Sequence, residues 1–154
     1  MELRLLDPGE MERTLSTVRT IAVLGIKPES RRDLDAHQIP LYLQKVGYRI
    51  LPIPIRYPNV TEILGTAVSR RVSAIAAPID ILSVFVKPAD FPTYLPDIVA
   101  TRPPLVWFQS GLLLPSFAAT LREAGIRVAE DCIGCRRASI DPSWAPLPAQ
   151  ASPP

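Results

Sequence analysis

The 154-residue sequence is poor in the residues that usually hold metals, with one histidine, His37, and two cysteines, Cys132 and Cys135. A protein zinc site normally takes about four ligands, and two cysteines without histidine partners make a poor one. We therefore expect no metal site. His37 falls in the predicted loop before a helix, where a lone histidine is usually solvated. No G-x-S-x-G motif with triad partners is present, and we expect no catalytic residues.

Long apolar runs and a strong charge of one sign are also missing. No apolar run approaches the roughly 20 residues that cross a bilayer, and the N-terminus lacks the basic start and apolar stretch of a signal peptide. We expect no membrane partner and a cytoplasmic location. The formal net charge is only +2 and the arginines are scattered in the sequence. We therefore expect no nucleic-acid partner, and the arginine pair Arg70–Arg71 is expected to be solvated surface.

Proline is abundant and marks the predicted domain boundary. Five of the 18 prolines lie in DPSWAPLPAQASPP, residues 141–154, which has no apolar period. This composition is typical of a flexible tail. Residues 1–140 are long enough for one domain with a real core.

Short apolar strands alternate with helical segments over residues 1–140. The predicted strands are TIAVLG, YRILPIPI, IDILSVFV, PLVWFQSG and IRVAED. This alternation predicts an α/β fold: a single Rossmann-like domain with a doubly wound parallel five-stranded sheet in the order 3-2-1-4-5. Asn59 to Ala77 is compatible with a short strand and a helical turn, and its boundaries stay open. Ligands of such sheets bind beyond the carboxyl ends of the strands.

The first strand runs into a loop that resembles a phosphate site but lacks the dinucleotide-binding glycines. Gly25 is followed by IKPESRR, so the G-x-G-x-x-G pattern fails after its first position. No acid from Pro52 to Asn59 is available for an NAD ribose. Arg56 instead suits the extra ribose phosphate of NADP or coenzyme A (CoA). Lys27, Ser30 and Arg31 are candidates for the pyrophosphate, or else ordinary polar loop residues.

Two further strand ends fall at the same predicted edge. VFVKPAD offers an apolar wall from Val84, Phe85 and Val86, with Pro88 stiffening the turn. WFQSGL ends with Gln109, Ser110 and Gly111, where the glycine would let backbone amides face an anion or carbonyl. Taken singly, both stretches are equally typical of simple strand ends.

In this order, the stretches TIAVLG, YLQKVGYRILPI, IDILSVFVKPAD, LVWFQSG and LREAGIRVAEDC resemble the small stand-alone CoA-binding proteins of bacteria and archaea. Those proteins are related to the nucleotide-binding domain of the succinyl-CoA synthetase alpha subunit. The resemblance covers roughly residues 16–133. It implies CoA as the cofactor, bound by Gly25, Ile26, Lys27, Ser30, Arg31, Ile53, Arg56, Val84, Phe85, Val86, Lys87, Pro88, Gln109, Ser110 and Gly111.

The sequence departs from that family at the end of the second strand, where Ile53, Pro54 and Ile55 replace Val-Asn-Pro. Our first hypothesis is a non-catalytic or regulatory module that binds CoA or an acyl-CoA. The alternatives are an NADP-dependent oxidoreductase, a ligase fragment that needs a partner, and an interaction module that has lost its nucleotide. A protein partner or homo-oligomer stays open.

CIGC, from Cys132 to Cys135, is the one motif with intrinsic reactivity. A C-x-x-C pair beside two arginines could lower a thiol pKa and exchange with the thiol of CoA. The alternative interpretation is that Cys132 is simply a buried family residue.

Overall fold

A computed structural model describes residues 4–140. Within these residues, seven strands and five α-helices follow one another. The strands are β1 Thr20–Leu24, β2 Arg49–Ile53, β3 Glu62–Ile63, β4 Thr66–Ala67, β5 Ile81–Val84, β6 Leu105–Phe108 and β7 Arg127–Glu130. The helices are α1 Pro8–Leu15, α2 Asp35–Lys45, α3 Leu95–Thr101, α4 Pro115–Glu123 and α5 Ile133–Ala138. The predicted tail, residues 141–154, lies outside the described residues.

The five long strands form one parallel sheet in the order β2-β1-β5-β6-β7. The α/β, doubly wound class predicted from the sequence is confirmed. The order within it is corrected, because the third sheet strand, β5, pairs with β1 instead of lying outside β2. Numbered along the chain, the sheet order is therefore 2-1-3-4-5, the other common doubly wound arrangement.

The segment between β2 and β5 explains this difference. Strands β3 and β4 form a separate two-stranded antiparallel hairpin. The chain leaving that hairpin touches the sheet through the Ser69 N–H, which donates to the Pro52 carbonyl oxygen at 2.9 Å. The outer edge of β2 is thus covered by a hairpin and not by a full strand. The short strand expected between Asn59 and Ala77 is present, without a place in the main sheet.

Both faces of the sheet are buried, as nearly continuous apolar strands require. One cluster contains Leu24, Phe91, Phe108 and Phe117, and the opposite cluster contains Leu43 and Trp107. Within residues 4–140, no helix combines the length and apolar character needed to cross a bilayer.

Candidate functional site

All five sheet strands are parallel, so their carboxyl ends lie along one edge. The residues predicted to contact a ligand sit at these ends or in the loops that follow them. The order β2-β1-β5-β6-β7 then fixes which loops are neighbours. The loops after β2, β1 and β5 are adjacent, and the loop after β6 lies about 10 Å from β1, given the spacing of neighbouring strands.

Gly25 lies close to the backbone of the neighbouring loops at this edge. Its φ is +88°, and a Cβ added there would lie 2.7 Å from the Phe85 carbonyl oxygen. Its N–H donates to the Ile53 carbonyl oxygen at 2.9 Å. The turn after β1 is therefore packed between the loops after β2 and β5, and glycine is required both by backbone conformation and by space.

The loop after Gly25 is fixed to helix α2. The Lys27 N–H donates to the Ala36 carbonyl oxygen at 3.1 Å, and His37 Nδ1 lies 2.9 Å from the Lys27 carbonyl oxygen. Because a carbonyl only accepts, that ring nitrogen is the donor. His37 is buried in α2, and the expectation of a solvated loop histidine is wrong, because α2 begins at Asp35 and not at Ile39.

Two cations of this loop gather around Tyr57, from the loop after β2. Lys27 Nζ lies 5.5 Å from the centre of the Tyr57 ring, within the range of a cation–π interaction. Arg31 is paired with Asp33, with 3.1 Å between Arg31 Nε and an Asp33 oxygen. The hydrogen bond that Arg31 donates to the Asp33 carboxylate raises the pKa of Arg31, and Tyr57 acts in the same direction. Ser30, between them in the chain, is exposed.

Arg56 extends into solvent at the end of β2. Its side chain is 68% exposed, and Arg56 Nη2 lies 3.6 Å from Asp90 Oδ2. That separation is an ion pair without a good hydrogen bond, so most of the guanidinium's donors remain open to solvent.

Arg70 holds the loop that carries Arg56. Its guanidinium donates to the carbonyl oxygens of Arg56 at 3.4 Å and Pro58 at 3.2 Å, and to that of Val60. Arg70 is exposed, as expected for the Arg70–Arg71 pair, and these contacts give it a structural role as well. Sequence patterns gave no signal for them, since the bonded carbonyls lie in the backbone of a distant loop.

Two open cavities flank this loop and share Arg70 and Tyr94 as walls. One, of about 550 Å³, is lined by Pro54, Ile55, Arg56, Pro58, Arg70 and Tyr94. The other, of about 530 Å³, continues along α3 and is lined by Leu24, Arg70, Arg71, Val72, Thr93, Tyr94, Pro96, Asp97 and Ala100. Pro54 thus forms part of the wall of the first cavity and does not fill it.

The segment after β5 differs from the expected apolar wall. Val84 is fully buried and Val86 is 1% exposed, both in the core. Only the half-buried Phe85 packs against the opposite cluster. The two valine side chains are therefore occupied by the core, and contact with a ligand is left to their backbone and to Lys87 and Pro88.

Gln109 connects three elements instead of facing solvent. Its Nε2 donates to Ser83 Oγ at 3.1 Å, and its Oε1 accepts from the Ile133 N–H at 3.0 Å. The side chain is therefore committed to joining β5, the end of β6 and the start of α5.

Ser110 and Gly111 are exposed at the end of β6. The Gly111 N–H donates to Glu130 Oε2 at 3.0 Å. An anion binding at this amide would have to displace the Glu130 carboxylate.

Cys132 and Cys135 form a disulfide at the start of α5. The Cys135 N–H also donates to Cys132 Sγ at 3.1 Å. Asp131, just before the pair, is bonded to Arg136 at 2.6 Å. Among residues 4–140, no group of three or more histidine, cysteine, aspartate or glutamate side chains is placed to hold a metal ion.

The comparisons with known proteins agree with this architecture. The chain is 31% identical over 126 residues to the uncharacterized protein YneT of Bacillus subtilis, covering 81% of this chain and 90% of YneT. A structure from Thermus thermophilus is 36% identical with a TM-score of 0.78, over 86% of this chain and 98% of that one. A hypothetical protein from Pyrococcus horikoshii is 26% identical with a TM-score of 0.76, over 90% and 96%. The family described as "CoA binding domain" matches residues 19–138, and this chain belongs to that family.

Proposed function

We propose that this protein binds CoA or an acyl-CoA at the carboxyl edge of its sheet, as a non-catalytic or regulatory module. Family membership supports CoA as the ligand class. We assign the contacts to Gly25, Ile26, Lys27, Ser30, Arg31, Ile53, Arg56, Val84, Phe85, Val86, Lys87, Pro88, Gln109, Ser110 and Gly111. The buried members of this set, such as Ile26 and Ile53, contribute through their backbone.

The observation that carries the proposal is the position of Arg56. It stands at the end of β2, where NAD-binding sheets place a carboxylate for the ribose. Its guanidinium is 68% exposed and only loosely paired with Asp90. A phosphate on the ribose of the ligand would bind this group through two parallel hydrogen bonds. The 3′-phosphate of CoA supplies that group.

The loop after β1 fits the pyrophosphate. Gly25 brings this loop against the ends of β2 and β5, and Lys27 and Arg31 both interact with Tyr57. A pyrophosphate in front of them would meet two positive charges and the exposed Ser30 hydroxyl. Backbone amides in such turns favour anions as well.

The state of His37 supports a non-catalytic role. The succinyl-CoA synthetase alpha subunit, to whose nucleotide-binding domain the resembled family is related, works through a phosphorylated histidine of a separate domain. Here the sole histidine of the sequence is buried and its Nδ1 is bonded to the Lys27 carbonyl. That side chain shapes the loop and is not presented to a substrate.

Titration calorimetry distinguishes binding of CoA from the alternative, binding of NADP. The ligands are CoA, CoA without its 3′-phosphate, NADP and NAD. The variants are Arg56→Gln and the control Arg127→Gln, which removes an exposed arginine at the amino end of β7. A hydrogen bond to a charged group is worth roughly 1.5–3 kcal/mol. Arg56→Gln should therefore weaken CoA binding roughly 10- to 150-fold. The control Arg127→Gln should bind CoA as tightly as wild type.

The shortened ligand provides the decisive comparison. CoA without its 3′-phosphate should bind wild type and Arg56→Gln with equal affinity. That affinity should be lower than the affinity of wild type for CoA. If NADP binds and CoA does not, the chain is a dinucleotide protein. If CoA binds wild type and Arg56→Gln equally, the assignment of Arg56 is wrong.

A further inference from the structure

A reactive pair directly follows the last strand of the sheet. Cys132 and Cys135 are joined by a disulfide, with Cys135 exposed and Cys132 half-buried. The C-x-x-C spacing in a chain built of alternating strands and helices is typical of redox sites.

The pair is physically continuous with the candidate site. The Ile133 N–H, next to Cys132, donates to Gln109 Oε1 at 3.0 Å, and the Asp131 N–H donates to the Phe108 carbonyl oxygen at 3.0 Å. These bonds tie the cysteine segment to the loop after β6, which carries Ser110 and Gly111.

The dimensions of the sheet suit a long ligand. β2 and β7 are its two outer strands, separated by four strand spacings, or about 19 Å. In CoA the 3′-phosphate and the thiol are at opposite ends of the molecule, joined by a flexible arm. A ligand held at Arg56 beside β2 would therefore extend its thiol along the edge toward β7 and the disulfide.

We propose that Cys132 and Cys135 form a thiol–disulfide exchange site for the thiol of CoA, an inference that rests on the proposed function. In the first step the CoA thiolate attacks Cys135 Sγ. A CoA–Cys135 disulfide forms, the Cys132–Cys135 bond breaks, and Cys132 leaves as a thiolate. In the second step another CoA thiolate attacks the CoA sulfur, which releases CoA disulfide and the Cys135 thiolate. Two CoA thiols are thus oxidised and the protein disulfide is reduced; the reverse oxidises the protein.

The structure gives each sulfur its role. Cys135 is the exposed member and the accessible point of attack. Cys132 Sγ accepts a hydrogen bond from the Cys135 N–H at 3.1 Å, and such a bond stabilises a thiolate. A stabilised thiolate is the better leaving group. The neighbouring Arg136 is already paired with Asp131 and Glu12, so the role of Cys132 as leaving sulfur rests on the Cys135 N–H.

The test uses Cys132→Ser and Cys135→Ser as a matched pair of variants. Each is reduced and then incubated with CoA disulfide or with glutathione disulfide, which carries no adenosine. Intact-mass spectrometry follows the mixed disulfide. We expect Cys132→Ser to trap CoA on Cys135 at least tenfold faster than glutathione, and Cys135→Ser to react much more slowly. Oxidised wild type should release CoA disulfide when CoA is added.

Binding is measured on the same variants by calorimetry, so that the two proposals fail separately. Tight CoA binding with no mixed disulfide overturns the exchange site and leaves the proposed function standing. Equal rates with CoA and glutathione disulfides also overturn it, since the pair would then be an unguided surface disulfide. If Cys132→Ser reacts faster with CoA disulfide than with glutathione disulfide, and the double variant Cys132→Ser/Arg56→Gln loses this preference, both the exchange site and the proposed function are supported.

Discussion

Gly25→Ala tests whether the turn after β1 depends on close backbone approach. The new methyl group would lie 2.7 Å from the Phe85 carbonyl oxygen and 3.1 Å from Val86 Cγ2, at a φ of +88°. The carbonyl belongs to the chain that has just left β5, so it cannot turn aside as a flexible side chain would. The loops after β1 and β5 must separate or the turn must change conformation.

The expected cost has two parts. A left-handed backbone conformation costs a non-glycine residue roughly 1–2 kcal/mol. Forcing an additional carbon into a closely packed place costs typically about 1–3 kcal/mol more. Gly25→Ala should therefore lower the free energy of unfolding by about 2–5 kcal/mol, a large fraction of the roughly 5–15 kcal/mol of a typical domain.

Gly65→Ala is the matched control. Gly65 has a φ of +76°, but a Cβ added there meets nothing within 4 Å. It should lose only the conformational part, about 1–2 kcal/mol. Urea unfolding followed by circular dichroism measures both. If the two variants differ by less than about 0.5 kcal/mol, the usual scatter of surface substitutions, the close-approach argument is refuted. A folded Gly65→Ala beside an unfolded Gly25→Ala supports it.

Three further outcomes are expected. Phe91→Ala, in the fully buried aromatic cluster, should cost about 3–5 kcal/mol in urea unfolding; a loss below about 1 kcal/mol would contradict the packing. Tyr48→Phe removes the hydroxyl that donates to the Leu15 carbonyl and should cost about 1–2 kcal/mol. Burial raises the pKa of Tyr48 to about 12. Wild type should therefore also lose stability as the pH rises from about 10 toward 12, and Tyr48→Phe should not. Parallel curves of stability against pH for the two proteins would count against this. The hydrogen bond from Arg4 lowers the pKa of Glu10 to about 2. The stability that the Glu10 carboxylate contributes is therefore complete above its ordinary pKa and disappears as the pH falls toward 2. Glu10→Gln should lose less stability in acid than wild type, and identical curves of stability against pH would disprove it.

The strands could be predicted from the sequence because their evidence is local. Each is a short apolar run, and burial on both faces makes that run nearly continuous. Gly25 and Gly125 mark turns with positive φ, where glycine is favoured. Pro115 similarly marks the first turn of α4. All these signals lie within a few residues of the feature they predict.

The sheet order could not be predicted in the same way. The third sheet strand has the same apolar composition whether it lies beside β1 or outside β2. What decides between them is the intervening chain, which forms the β3–β4 hairpin over the outer edge of β2. The sequence of that segment is compatible with a short strand and a helical turn, and it does not mark the hairpin that forms around Gly65.

The contacts that hold the candidate site could be predicted least, because they join residues far apart in the sequence. Arg56 is a candidate because of its place after β2, yet the position of its backbone depends on Arg70, fourteen residues later. His37 is likewise bonded to the carbonyl of Lys27, ten residues earlier. Both contacts are made to carbonyl oxygens, which every residue possesses, so no residue type in the sequence marks them. The charged groups proposed to face a ligand and those that hold the loops are thus the same residue types at the same edge. Only their hydrogen bonds distinguish the two groups. Arg70 is satisfied by three carbonyls while Arg56 has one loose partner, so the guanidinium of Arg56 is the freer of the two.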